Sequence, residues 1–149
     1  MLSVSNAWRD AGHETLTLDI DPKCMPDICT DIMSWEYTDF SLEPPDFIWC
    51  SPPCTHYSIA RTKAKKPRDL EGSDAIVQQC LDIIAFWRPR YWVIENPQTG
   101  LLKTRDIVQG LIVIPPHAKQ GQLQKKRSLL LGPPRALRTL MRPNRVLFK

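Results

Sequence analysis

An α/β fold with a parallel sheet is predicted for this 149-residue sequence by three observations. Residues 47–50, Phe-Ile-Trp-Cys, form an apolar, β-prone run that meets Ser51-Pro52-Pro53. Neither proline can donate to a ladder, so a strand must stop there. Residues 89–97 repeat the design: Tyr91-Trp92-Val93-Ile94, then the polar pair Glu95-Asn96, then a stop at Pro97. Between the two runs, Ile76, Cys80, Ile83, Ile84 and Trp87 recur at helical spacing, which makes a crossover helix and hence a parallel strand pair. A right-handed crossover then sets Cys54, Glu95 and Asn96 on one edge of the sheet. A strand that ends abruptly and presents a thiol is how an α/β enzyme exposes a nucleophile at the carboxyl edge.

The remaining elements follow in chain order. Residues 3–12 read as a short helix with polar N-cap candidates and a stop at Gly12. Residues 15–22 read as a strand ending in Asp19, Asp21 and Pro22. An acid at such a strand end commonly accepts hydrogen bonds from ribose hydroxyls, although a lone one is more often a solvated turn carboxylate. Asp31-Ile32 follows, and residues 39–45 form a loop into the central strand. After Cys54, the chain carries Arg61, Lys63, Lys65, Lys66 and Arg68 with no acid until Asp69. Cations beside a base-processing site supply phosphate contacts, which give affinity without reading sequence.

Beyond residues 111–114 the periodicity dissolves among Pro115-Pro116, Gly132-Pro133-Pro134 and Pro143, with Lys125-Lys126-Arg127 between. The division expected is a catalytic domain over 1–114 and a basic, irregular, poorly ordered tail over 115–149. Charge marks the same divide. All 16 acidic residues lie at or before Asp106, whereas residues 107–149 carry 9 Lys and Arg and no acid. Five scattered cysteines suit a reducing compartment. No window approaches the ~18 apolar residues of a membrane span. These features predict an intracellular chain that engages no membrane.

Trp49-Cys50-Ser51-Pro52-Pro53-Cys54-Thr55-His56-Tyr57-Ser58 and Ile94-Glu95-Asn96-Pro97-Gln98-Thr99-Gly100 resemble the Pro-Cys and Glu-Asn motifs of the DNA (cytosine-5) methyltransferases, in the phrasing of their compact viral and phage members. The resemblance covers roughly residues 3–106. It implies a Rossmann-like class I S-adenosylmethionine-dependent methyltransferase fold, with DNA as substrate and S-adenosylmethionine as cofactor. It implies Cys54 as nucleophile on cytosine C6, Glu95 on the pyrimidine N3, and Asn96 orienting the backbone around Cys54. Asp19, with Asp21 as neighbour, matches the acid on the cofactor ribose. Asp31 and Ile32 match the adenine contact, while Pro52 and Pro53 line the cofactor side. Arg61, Lys63, Lys65, Lys66 and Arg68 resemble the loop that closes over DNA.

The resemblance begins partway through the family's first motif, after the first strand and its glycine-rich loop. The expectation is therefore a partial fold without its first strand, with a complementing polypeptide as one candidate source of that strand, and without a recognisable target-recognition region. The first strand sits centrally in a doubly wound sheet, and buried unpaired amides cost ~1–3 kcal/mol each. Three rival readings compete with this one. An exocyclic N4 or N6 amino methyltransferase would carry an aromatic residue where Cys54 stands. A zinc site would need Cys50, Cys54 and His56 to converge across two prolines. A catalytically inactive DNA-binding fragment would keep the motifs and bind no cofactor.

Overall fold

The computed structural model describes residues 2–38, 44–63, 66–114, 128–132 and 145–148. Helix α1 spans Leu2–Asp10 and leads into strand β1, Glu14–Asp19. Gly12, at φ 85°, closes the helix. Its N–H donates to the Arg9 carbonyl at 2.8 Å, and the His13 N–H donates to the Trp8 carbonyl at 3.1 Å. Glycine adopts this left-handed geometry at no side-chain cost, which is why the helix ends there.

Strand β2 is Ile28–Cys29 and strand β3 is Phe47–Cys50. Helix α2, Leu70–Trp87, crosses to strand β4, Tyr91–Pro97. The Asp69 carboxylate accepts from the Gly72 N–H at 2.8 Å and caps α2, satisfying one of the orphan donors at its start. The buried residues Ser73, Val77, Cys80, Ile83, Ile84 and Trp87 repeat every three to four positions, so one stripe of α2 faces the sheet. Strands β3 and β4 are parallel, pairing Phe47 with Tyr91 through Cys50 with Ile94, as the sequence predicts.

Arg88 closes α2 in the left-handed region, at φ 48°. A side chain there costs about 1–2 kcal/mol. Arg88→Gly is expected to raise stability by roughly 0.5–1 kcal/mol, because glycine's greater unfolded-state freedom offsets part of the gain. A urea melt checks it.

Three further strands complete the sheet: β5, Ile112–Ile114; β6, Ser128–Gly132; and β7, Arg145–Phe148. The order is β2-β1-β7-β3-β4-β6-β5. Strands β2, β1, β7, β3 and β4 run parallel, and β6 is antiparallel to both β4 and β5. Two sequence expectations change here. The slot between β1 and β3 is not vacant, because β7 pairs there with Thr15, Leu16 and Thr17 on one side and Phe47, Ile48 and Trp49 on the other. The chain's own segment thus fills the row for which a complementing polypeptide is one candidate. Nor is residues 115–149 wholly an irregular tail, since two described segments of it are strands in the sheet. The physical reason is backbone accounting: two interior strands with bare edges leave donors and acceptors that the chain must satisfy.

The pleat divides the core in two. Leu18, Ile48, Cys50, Ile94 and Leu147 pack with α2 and with Ile32, Trp35, Tyr57, Leu102 and Val108. On the opposite face Phe47 packs with Val4 and Trp8 of α1 and with Trp49, Tyr91 and Val93. The Trp8 and Phe47 rings stack at 5.3 Å between centroids. Alternation along β3 therefore sends Ile48 and Cys50 to one face and Phe47 and Trp49 to the other, the two-sided burial of a parallel sheet.

Candidate active site

Cys54 lies four residues past the end of β3, half-buried, at the head of a turn. Its carbonyl accepts from the Tyr57 N–H at 3.1 Å and from the Ser58 N–H at 2.9 Å. Because Cys50 pairs with Ile94, Glu95 and Asn96 continue β4 alongside Ser51 and Pro52. Parallel pairing thus brings the thiol turn and the Glu95-Asn96 pair to one sheet edge, as the sequence predicts. Among the described residues, neither the Cys54 thiol nor the Glu95 carboxylate is engaged in a side-chain hydrogen bond or ion pair.

Asn96 is 1% exposed. Its side-chain amide donates to the Pro52 carbonyl at 3.1 Å, tying β4 to the chain just before Cys54. Its Oδ1 has no hydrogen-bond partner among the described residues. Pro52, buried, and Pro53, exposed, lack the N–H that would satisfy it.

A second brace was not legible in the sequence. Tyr57 is fully buried, and its hydroxyl donates to Asp74 Oδ1 of α2 at 2.7 Å. Arg105 donates to Asp74 Oδ2 from Nε at 2.9 Å and from Nη2 at 2.6 Å. The Leu101 N–H donates to the Tyr57 carbonyl at 2.9 Å. Gly100 permits this approach: a Cβ there would stand 3.0 Å from the Pro97 carbonyl and 3.5 Å from that of Tyr57. The hydrogen bonds that Arg105 donates to the Asp74 carboxylate raise its pKa above the ordinary value. The one sequence signal for this network is Asp74 itself, an acid beside Ser73 and Val77 in the buried stripe of α2.

Burial, followed by the hydrogen bond to Asp74, pushes the Tyr57 phenol above its ordinary pKa of 10.0. Below pH 10 the phenol is protonated in folded and unfolded chains alike. As pH rises through that value the unfolded chain loses the proton first, so the stability held below it declines, by up to about 1.4 kcal/mol per pH unit. Wild type is expected to lose stability from about pH 10 upward more steeply than Tyr57→Phe. Chemical melts at successive pH values measure the difference.

The basic stretch divides. Arg68 donates from Nη1 to the His56 carbonyl at 2.8 Å and the Ser58 carbonyl at 2.7 Å, so it binds the Cys54 turn rather than standing free. Lys66 is exposed, and Arg61 is half-buried with its Nε unpartnered among the described residues. Lys65 and the Lys63 side chain lie outside what the structure describes. The acids expected at a cofactor also have local work. Asp19 Oδ1 accepts from the Asp21 N–H at 2.9 Å, Asp21 Oδ1 from the Lys23 N–H at 2.9 Å, and Asp31 Oδ1 from the Met33 N–H at 3.0 Å. Asp21 and Asp31 thereby cap short 3₁₀ turns. Ile32 is 2% exposed and belongs to the core under α2.

Among the described residues no group of three His, Cys, Asp or Glu side chains is placed to hold a metal ion. Of the three zinc candidates, Cys50 is buried in β3, and His56 Nδ1 accepts from the Asp69 N–H at 2.8 Å. No helix among the described residues is long and apolar enough to cross a membrane.

The chain is similar to a probable DNA (cytosine-5)-methyltransferase of Frog virus 3 (isolate Goorha), 32% identical over 104 residues. The similarity covers 62% of this chain and 47% of that protein, so the chain spans about half the length of the curated relative it matches. No family model matches the chain. No solved structure matches it either.

Proposed function

We propose that this chain carries the catalytic edge of a DNA (cytosine-5) methyltransferase, with S-adenosylmethionine as methyl donor and cytosine in DNA as acceptor. The observation that carries the reading is the Asn96–Pro52 hydrogen bond across paired β3 and β4. It holds the Pro-Cys turn against the Glu-Asn pair. Similarity to the viral relative supports it. The sheet order supports the Rossmann-like class I fold as well, because β2-β1-β7-β3-β4 reproduces the doubly wound arrangement with β7 in the central place.

The side chains at the β1 edge fit an adenosyl group. Asp19 is half-buried at the end of β1 and offers a carboxylate to ribose hydroxyls, while Ile20 and Met33 stand exposed as apolar surface for a purine. Asp21 and Asp31 flank them. S-adenosylmethionine, when bound, supplies the electrophilic methyl group that cytosine C5 takes. The chain's own part begins with addition of the Cys54 sulfur to C6, which forms an S–C bond and moves electron density to C5. Glu95 holds a proton at N3 and so stabilises the electron-rich ring as charge develops. Asn96 keeps the Cys54 turn in register. Loss of the C5 proton to a base then lets the S–C6 bond break and returns the thiolate. The target base must leave the duplex stack to reach Cys54, and Arg61, Lys63, Lys65 and Lys66 supply phosphate contacts around it.

Product analysis tests this reading. Duplex DNA incubated with the protein and labelled S-adenosylmethionine is hydrolysed to nucleosides. The expected product is 5-methylcytosine. N4-methylcytosine or N6-methyladenine would replace the reading with an exocyclic amino methyltransferase, and absence of label with no cofactor binding would replace it with an inactive fragment.

A further inference from the structure

We propose that Asp74 is the positioning residue of the Cys54 site, locking the thiol turn and the turn after Glu95-Asn96 into one rigid unit through Tyr57 and Arg105. The inference rests on the reading of Cys54 and Glu95 as partners, but the brace is visible without it.

The two turns come from different strands and have no ladder between them beyond Cys50 and Ile94. Tyr57 spans the gap. Its N–H holds the Cys54 carbonyl at 3.1 Å, its carbonyl receives the Leu101 N–H at 2.9 Å, and its ring is wholly buried. A buried ring alone resists removal but leaves the backbone free to rock about it. The hydroxyl removes that freedom by reaching Asp74 on α2, the longest rigid element at the site. The second oxygen of the same carboxylate grips Arg105, beyond the Leu101 turn. One carboxylate therefore fixes both sides of the gap. Charge-assisted bonds of this kind are about twice as strong as neutral ones, and partial burial of Asp74, at 16% side-chain exposure, limits competition from water.

The network is distinct from the Asn96–Pro52 bond, which acts before Cys54. Asp74 and Tyr57 act after it. Together they leave the thiol turn held at both ends, which suits a nucleophile that must meet a flipped base in one geometry.

The test compares Tyr57→Phe and Asp74→Ala with wild type in thiol alkylation by iodoacetamide, read peptide by peptide, and in amide hydrogen exchange. Cys29, exposed on β2, is the internal reference. Alkylation of Cys54 relative to Cys29 is expected to rise about tenfold in each variant, as loss of a charge-assisted hydrogen bond loosens the turn. The Tyr57, Ser58 and Leu101 amides should lose protection together by a similar factor. Methyl transfer should move the opposite way, with kcat falling and the KM for DNA little changed.

A Cys54-to-Cys29 ratio within about twofold of wild type, with reduced melting temperature alone, would overturn the proposal in favour of a purely structural role. Tyr57→Phe keeps the buried ring, so it decides the question even where Asp74→Ala fails to fold. Alkylation and exchange need no methyl transfer. A raised ratio in a chain that makes no 5-methylcytosine would sustain the brace and refute the enzymatic reading.

Discussion

Cys54→Ser is expected to lose at least about a thousandfold in methyl transfer while DNA binding stays within about twofold of wild type. Serine is a far weaker nucleophile than a thiol unless a base activates it, and His56 Nδ1, two residues on, already accepts from the Asp69 N–H. Binding should survive if, as proposed, the phosphate contacts come from the basic residues that follow and not from the thiol. Duplex DNA bearing 5-fluorocytosine sharpens the test. Fluorine at C5 cannot leave as a proton does, so the S–C6 bond, once formed and methylated at C5, cannot break. A protein–DNA adduct should appear on the Cys54 peptide in wild type and be absent from Cys54→Ser. Cys29→Ser, which removes an exposed thiol on β2 away from the Cys54 turn, should still form it. Full transfer by Cys54→Ser, or an adduct on another cysteine, would remove Cys54 from the mechanism.

The features on which that test depends could be read from the chain because they are local. Prolines after Cys50 and after Asn96 mark where two strands must stop, and the apolar period between them marks α2. Parallel pairing of β3 and β4 then follows, and with it the meeting of Cys54, Glu95 and Asn96. The Tyr57–Asp74–Arg105 brace has no such signature. Its partners stand 17 and 31 residues apart in the chain, and each residue type alone is ordinary in its element. Asp21 and Asp31 show the converse. Asp21 stands at a strand end and Asp31 matches the family's adenine contact by resemblance, yet each caps a 3₁₀ turn, and the two roles leave the same trace in a sequence. Arg68 reads as one more phosphate-seeking cation until its two hydrogen bonds to the Cys54 turn are seen.

The central strand was the least legible element. Arg145-Val146-Leu147-Phe148 is four residues long, sits among prolines and basic residues, and pairs with partners 131 positions away in β1 and 99 away in β3. Its sequence says only that it is β-prone; its place is decided by the two strands that need a neighbour. That dependence makes a sharp prediction. Leu147 is 4% exposed and pairs with Leu16 on one side and Ile48 on the other. Leu147→Ala is expected to cost about 2–5 kcal/mol, a large share of a typical domain's ~5–15 kcal/mol. Were residues 145–148 outside the packed sheet, the same change would stay within about 0.5 kcal/mol. Ile48→Ala, in the adjoining strand and wholly buried, sets the scale for a core deletion at this layer. The midpoint of urea unfolding distinguishes the two outcomes, provided the slope is unchanged and the transition stays two-state. A wild-type midpoint for Leu147→Ala beside a depressed one for Ile48→Ala would return the central slot to a vacancy. A depression of similar size in both would make β7 the strand on which the site edge is suspended, since Cys54 follows β3 and Asp19 ends β1, the two strands that β7 joins.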